Sequence, residues 1–252
     1  MNAKNSASTP AKVKRQQRNF FITATDTDAG KTFVACAIIQ AFTDAGKRVA
    51  AYKPVAAGCA KIDGKLINED AQLLTQFANS QQQINEVNPI SLEAAIAPHI
   101  AAEKLNITLT LNEIKAGFEQ LVSLNADINI TEGAGGWRLP LQLNTPSPTF
   151  LSDFAINTKQ DVILIVNMKL GCLNHALLTY QAIIADGLTC VAWVANSASS
   201  TTMSNLDENI ASLEQLLPVP KIAQINFDSD ASSSLTAKIF AAAKEIDLTL
   251  LG

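Results

Sequence analysis

Histidine is scarce in this 252-residue chain, with only His99 and His175, and the four cysteines (Cys36, Cys59, Cys172, Cys190) are widely scattered. There is no C-x-x-C pair and no histidine cluster, which argues against zinc or a disulfide framework and for reduced thiols in a cytoplasmic protein. No apolar run approaches the roughly 18 residues a membrane helix needs, so no membrane span is expected. Positive charge is not in excess: 19 Lys and Arg stand against 23 Asp and Glu, a net charge of −4. That balance argues against nucleic acid as the main partner. Residues 1–18 differ from the rest, with Lys4, Lys12, Lys14, Arg15 and Arg18 and no acid. They read as a disordered basic tail, and a short transit peptide has the same composition.

What is present is apolar: 48% of the residues, enough for residues 19–252 to form one α/β domain with a sizeable core. The stretch Asn19 to Ala45 organises it. Phe20-Phe21-Ile22 reads as a buried strand, and Phe33, Ala37, Ile38 and Ala41 fall at helical spacing. Between them lies Ala24-Thr25-Asp26-Thr27-Asp28-Ala29-Gly30-Lys31-Thr32. A turn ending in Gly-Lys-Thr between a strand and a helix is a phosphate site. Backbone N–H groups and the helix N-terminus cradle the anion, Lys31 reaches the outer phosphates, and the Thr32 hydroxyl suits Mg²⁺. A strict form of this loop has glycine where this chain has Thr25, so the match is imperfect.

Further along, strands and helices alternate. Arg48 to Lys53 is a strand ended by Pro54, which puts Lys53 at its C-terminal tip, and 55–58 reads as a loop. A helix opens at Asn68-Glu69-Asp70 and runs through Phe77. Residues 80–110 read as irregular, broken by Asn88-Pro89 and Ala97-Pro98-His99. A helix over 111–124 and a strand over 127–131 follow, the strand leading into Glu132-Gly133-Ala134-Gly135-Gly136. The apolar run Asp161 to Asn167 reads as a central parallel strand. Gly171-Cys172-Leu173-Asn174 then feeds a helix over 176–185, a second turn-to-helix anion site. Strand 188–195 ends at Asn196, and helix 206–217, strand 221–225 and helix 235–246 complete a doubly wound, mainly parallel sheet of the P-loop NTPase type.

If the strand tips share one sheet edge, Thr32, Asp70 and Glu132 converge as hard oxygen ligands, which favour Mg²⁺. Lys31 and Lys53 then face a γ-phosphate, and positioning with charge neutralisation is most of what phosphoryl transfer requires. Residue chemistry reaches a Mg²⁺–nucleotide enzyme or switch.

The motifs carry it further. Thr25-Asp26-Thr27 with Gly30-Lys31-Thr32, Tyr52-Lys53-Pro54-Val55, Asp70-Ala71, Pro98-His99-Ile100, Glu132 to Trp137, and Lys169-Leu170-Gly171 with Asn174-His175-Ala176 occur in one order. Over about residues 19–226 the chain resembles the dethiobiotin synthetase family. The resemblance implies an ATP- and Mg²⁺-dependent cyclo-ligase that joins CO₂ to 7,8-diaminononanoate. It also implies Lys31, Lys53 and Thr27 at the reacting groups, and Thr32, Asp70 and Glu132 on Mg²⁺. Nucleotide contacts would come from Asp28 to Thr32, Asp70, Glu132 to Gly135 and Asn196. Substrate contacts would come from Thr27, Lys53, Ala57 and the turn Gly171, Cys172, Leu173, Asn174, the last supplied by a second subunit in a homodimer.

The chain departs from the family at three places. Ala24 replaces a phosphate-loop glycine, which requires an unstrained φ there or a shifted turn. Ala57 replaces a substrate-side serine; one lost hydroxyl bond is worth about 0.5–1.5 kcal/mol, roughly three- to tenfold in affinity. Residues 223–227 lack the family's glycine and proline, which leaves base preference open. Two other readings keep the loop: a partition-type ATPase switch, whose early loop lysine is missing from 24–29, and a paralogue that binds nucleotide without turnover.

Overall fold

The computed structural model describes residues 17–201 and 203–251. The tail expected over 1–18 lies outside the described residues as far as residue 16; Arg18, assigned to it, instead opens the first strand. Six strands form one sheet: β1 (Arg18–Ala24), β2 (Val49–Tyr52), β3 (Ile128–Glu132), β4 (Asp161–Asn167), β5 (Cys190–Asn196) and β6 (Lys221–Ile225). Their order is β6-β5-β4-β1-β3-β2, and every pairing is parallel. From β1 the chain goes to the edge strand β2, returns to β3 beside β1, then crosses to β4 on the other flank of β1 and runs outward to β6; β1 is the topological switch point, where a crevice opens beyond the strand C-termini.

Parallel strands covered on both faces read as continuous apolar runs, and β4 is the case: Val162 through Val166 are fully buried. Alternate residues serve different layers. Phe20, Ile22, Ile163 and Ile165 pack towards α1 (Lys31–Asp44), α2 (Glu69–Phe77) and a C-terminal helix, Leu235–Ala243. Phe21, Val162, Leu164 and Val166 pack towards α3 (Leu111–Ser123), the short helix Leu151–Asn157, α4 (Cys172–Ala185) and α5 (Leu206–Leu216). α1 is buried at nine of its fourteen positions because it lies between the sheet, α2 and the C-terminal helix.

Residues 80–110 are more ordered than their sequence suggests. They contain the helical turn Ile84–Val87 and the helix Pro98–Lys104, and Ile90–Ser91 pairs with Val55–Ala56, which reads as loop from sequence. Pro98 starts a helix, since the first helical position needs no N–H donor. A hairpin, Ala60–Ile62 with Lys65–Ile67, turns at Asp63-Gly64, both with positive φ (48° and 78°). α4 begins at Cys172, four residues before the expected start, and Gly171 (φ 94°) is its N-cap.

β2 is anchored by Tyr52, whose buried hydroxyl donates to Ile114 O at 2.7 Å. Room for that hydroxyl depends on Gly117: a Cβ there would lie 2.4 Å from it. Alanine would gain up to about 1 kcal/mol in helix propensity, but overpacking costs about 1–3. Gly117→Ala is therefore expected to lower the urea midpoint, and adding Tyr52→Phe, which removes the colliding oxygen, to restore part of the loss.

Candidate active site

Sheet register explains how the charged groups meet. Ile22 lies level with Glu132, and Tyr52 with Thr131, so the residue after Tyr52 comes level with Glu132. Ile128, Ile130, Val49 and Ala51 face the α1 layer; the period of two puts Glu132 and Lys53 on that face as well. Lys53 Nζ lies 2.6 Å from Glu132 Oε1 and 3.1 Å from Asp70 Oδ2, and Thr32 at the start of α1 donates its hydroxyl to the same Glu132 oxygen at 2.9 Å. Burial pulls the Lys53 ammonium downward, but the carboxylates of Glu132 and Asp70 outweigh it and hold the group charged above the ordinary lysine range.

The Lys53 backbone is fixed too. Its N–H donates to Val87 O, and its carbonyl accepts from the Asn88 side chain at 2.7 Å. Asp70 sits in the first turn of α2, where the helix dipole favours an acid, behind the N-cap Asn68.

The phosphate loop opens on the last residue of β1. Ala24 has strand conformation and no positive φ, so no glycine is needed there. Thr25 N–H donates to Ile165 O, and Thr25 Oγ1 accepts from Asn167 N–H, which pins the loop to β4. The left-handed turns fall at Asp28 (φ 57°) and Gly30 (φ 77°). Gly30 is required twice over, because a Cβ there would also lie 2.4 Å from Asn196 Nδ2, which donates to Ala29 O at 2.8 Å. Lys31 Nζ folds back onto Asp26 O at 3.2 Å. Burial pulls its pKa below the ordinary value against the attraction of Glu132, and the Lys53 ammonium adds to the lowering. Asp26 also takes a 2.5 Å bond from Lys169, which holds its carboxyl below the usual range.

A cavity of about 800 Å³ brings together Thr27, Asp28, Gly30, Lys31, Thr32, Lys53, Ala57, Asp70, Glu132, Ala134 and Gly135 from the expected set. Asn68, Phe33, Leu139 and the 95–98 segment also line it, and the sequence gives none of them a site role. Ala29 turns its methyl into the core. Gly133 is set close to the Phe21 ring, 3.0 Å from where a Cβ would be. Asn196 lies behind the phosphate loop. The turn Gly171, Cys172, Leu173, Asn174 is not among the residues lining this cavity; Lys169, whose carbonyl accepts from Cys172 N–H, is bound to Asp26 of the phosphate loop in the same chain.

The residues fit a hard divalent cation. Glu132 Oε2 is buried with no hydrogen-bond partner, while Oε1 of the same carboxylate takes the Thr32 hydroxyl and Lys53, which also binds Asp70. Two carboxylates and one hydroxyl are too few ligands alone, but suit Mg²⁺, which keeps waters and takes phosphate oxygens. Two lysines, Lys31 and Lys53, stand against three carboxylates, Asp28, Asp70 and Glu132, in the lining, so positive charge is not in excess before a cation enters.

Lys31 has no carboxylate of its own, so replacing it tests its role. Lys31→Met should leave the melting temperature without nucleotide unchanged or raised, and weaken MgATP binding roughly ten- to a hundredfold. Below its lowered pKa Lys31 is charged and binds phosphate; above it the charge is lost. Titration calorimetry of the parent protein should therefore show MgATP affinity falling as pH rises from neutral towards 10.5, a trend absent from Lys31→Met.

A family model described as an AAA domain matches residues 18–234. Among solved structures, a ParA family ATPase from Chlorobium tepidum superposes with a TM-score of 0.55 at 13% identity, over 92% of this chain and all of that one, a likeness of fold. Curated relatives are much nearer in sequence. ATP-dependent dethiobiotin synthetase BioD of Alteromonas mediterranea is 46% identical over 87% of this chain and 97% of its own length. The proteins of the same name from Cellvibrio japonicus and Pseudomonas paraeruginosa are 45% and 40% identical, over 93% and 92% of this chain and 98% and 97% of their own. With its parallel sheet, its phosphate loop and relatives of this identity along nearly their whole length, the chain belongs to the dethiobiotin synthetase family.

Proposed function

We propose that the protein is an ATP- and Mg²⁺-dependent cyclo-ligase that converts 7,8-diaminononanoate and CO₂ into dethiobiotin. The observation that carries this reading is the meeting of Lys31, Lys53, Thr32, Asp70 and Glu132 in one cavity. An amine adds to CO₂ and loses a proton, giving a carbamate. The second amine cannot expel oxide from that carbon. A carbamate oxygen therefore attacks the γ-phosphorus, the bond to ADP breaks, and a carbamic–phosphoric anhydride forms. The second amine then attacks the anhydride carbon, phosphate leaves, and the cyclic urea closes.

The residues have distinct parts in this scheme. Lys53, held charged by Glu132 and Asp70, neutralises the carbamate and the transferring phosphoryl group, and Lys31 leaves Asp26 O to take a phosphate oxygen. Thr27 lies beside the reacting end of the substrate. Thr32, Asp70 and Glu132 would hold Mg²⁺, which would supply charge neutralisation to the phosphates when bound. The phosphate loop from Asp28 to Thr32 and the turn from Glu132 to Gly135 bind the triphosphate, with Asn196 bracing the loop from behind.

The far carboxylate of the substrate docks at the N-terminus of α4, on the turn Gly171 to Asn174 of a partner subunit. A homodimer is supported by the apolar residues that α4 and the turn before it expose: Leu170 at 93%, Leu178 at 57% and Ile184 at 44%. In sedimentation the protein should run at twice the chain mass, with Leu170→Glu shifting it towards monomer.

Turnover is the direct test. The purified protein with diaminononanoate, bicarbonate and MgATP should yield dethiobiotin, detected by mass spectrometry, in step with ADP. ATP hydrolysis indifferent to the diamine would sink the ligase reading. Lys53→Ala should abolish product. It should also cost stability of about 3–5 kcal/mol, because Glu132 is left buried without its cation.

A further inference from the structure

The missing hydroxyl at position 57 raises the question of what takes its place. Ala57 lines the cavity and offers only a methyl group. Asn68, 7% exposed, lines the same cavity and reaches the backbone of Ala57. Its two ends do different things. The oxygen caps α2, accepting from Ala71 N–H at 3.1 Å. The amide nitrogen makes a long contact, 3.5 Å, to Ala57 O. A carboxamide nitrogen has two donors, and a 3.5 Å bond is at the limit of useful length, so this group retains donor capacity next to Ala57.

The cap also orients the group. With the oxygen committed to the helix, the nitrogen is forced to the other side, and Asp70 two residues on is bonded to Lys53. A neutral donor so placed lines the same cavity as Lys53 and adds no carboxylate to a pocket that already holds Asp28, Asp70 and Glu132.

We infer that the Asn68 carboxamide is a substrate-binding residue, donating to an oxyanion of the bound substrate where Ala57 has no hydroxyl to offer, the carbamate oxygen on the ligase reading. The inference rests on that reading for the identity of the oxyanion. It revises the expected cost of Ala57: the affinity lost with the hydroxyl is largely recovered by a neighbour on another element.

The test separates binding from capping. Asn68→Ser keeps a good N-cap, because serine and asparagine cap about equally well, but removes the amide. It should raise KM for the diamine roughly three- to tenfold, with the melting temperature and MgATP affinity unchanged. Ala57→Ser should then lower KM by a larger factor in the Asn68→Ser protein than in the parent, since two donors that serve the same oxyanion are coupled. An unchanged KM in Asn68→Ser, or equal factors for Ala57→Ser in both backgrounds, overturns the assignment while parental turnover keeps the ligase reading intact. If the parent protein itself forms no dethiobiotin, both fall together.

Discussion

The ion pair of Lys53 and Glu132 sets the terms for everything at this sheet edge. Both groups are withdrawn from water, the carboxylate to 1% exposure, and either would be costly alone. Neither is supplied by the segment that carries the other. Lys53 follows β2, Glu132 ends β3, and Thr32 and Asp70, which complete the cluster, begin α1 and α2. The charges are tolerable only when the strands are in register and both helices are seated, so the cluster reports correct assembly as well as serving it. One carboxylate oxygen is left over, and that vacancy in the hydrogen bonding makes the site receptive to a cation.

The two lysines are opposites. Lys53 arrives paired and fixed through its backbone to Val87 and Asn88; Lys31 rests on a carbonyl of its own loop and bears its burial with little relief. On the proposed reading a phosphate gives Lys31 what the fold withholds. One lysine would then be preorganised for the reacting centre, while the other is left to pair with the incoming anion.

Much of this was legible in the residues. The strand tips at Lys53 and Glu132, the acid at Asp70 and the Gly-Lys-Thr turn each follow from a short local signal, and the runs at Asp161–Asn167 and Lys221–Ile225 fall where the strands do. What escaped was set by long-range contact. Asn88 matters because its amide reaches the carbonyl of Lys53, and no local pattern marks that. The pairing of Val55–Ala56 with Ile90–Ser91 is too short to have a period. Pro98 signals a stop and a start equally well, and its packing decides between them. The Asp63-Gly64 hairpin was the readable omission, since that dipeptide is a turn by its own chemistry.

The burial of α1 has a thermodynamic side. A helix enclosed by the sheet and by two other helices is not free to fray or detach alone, because leaving would expose the centre of one whole layer. The loop proposed to receive the phosphates runs through Gly30, the N-cap, into the first turn of that helix. Occupancy of the pocket and cooperative unfolding of the chain are therefore linked equilibria, and any ligand held at Gly30 stabilises the molecule as a whole and not a local flap.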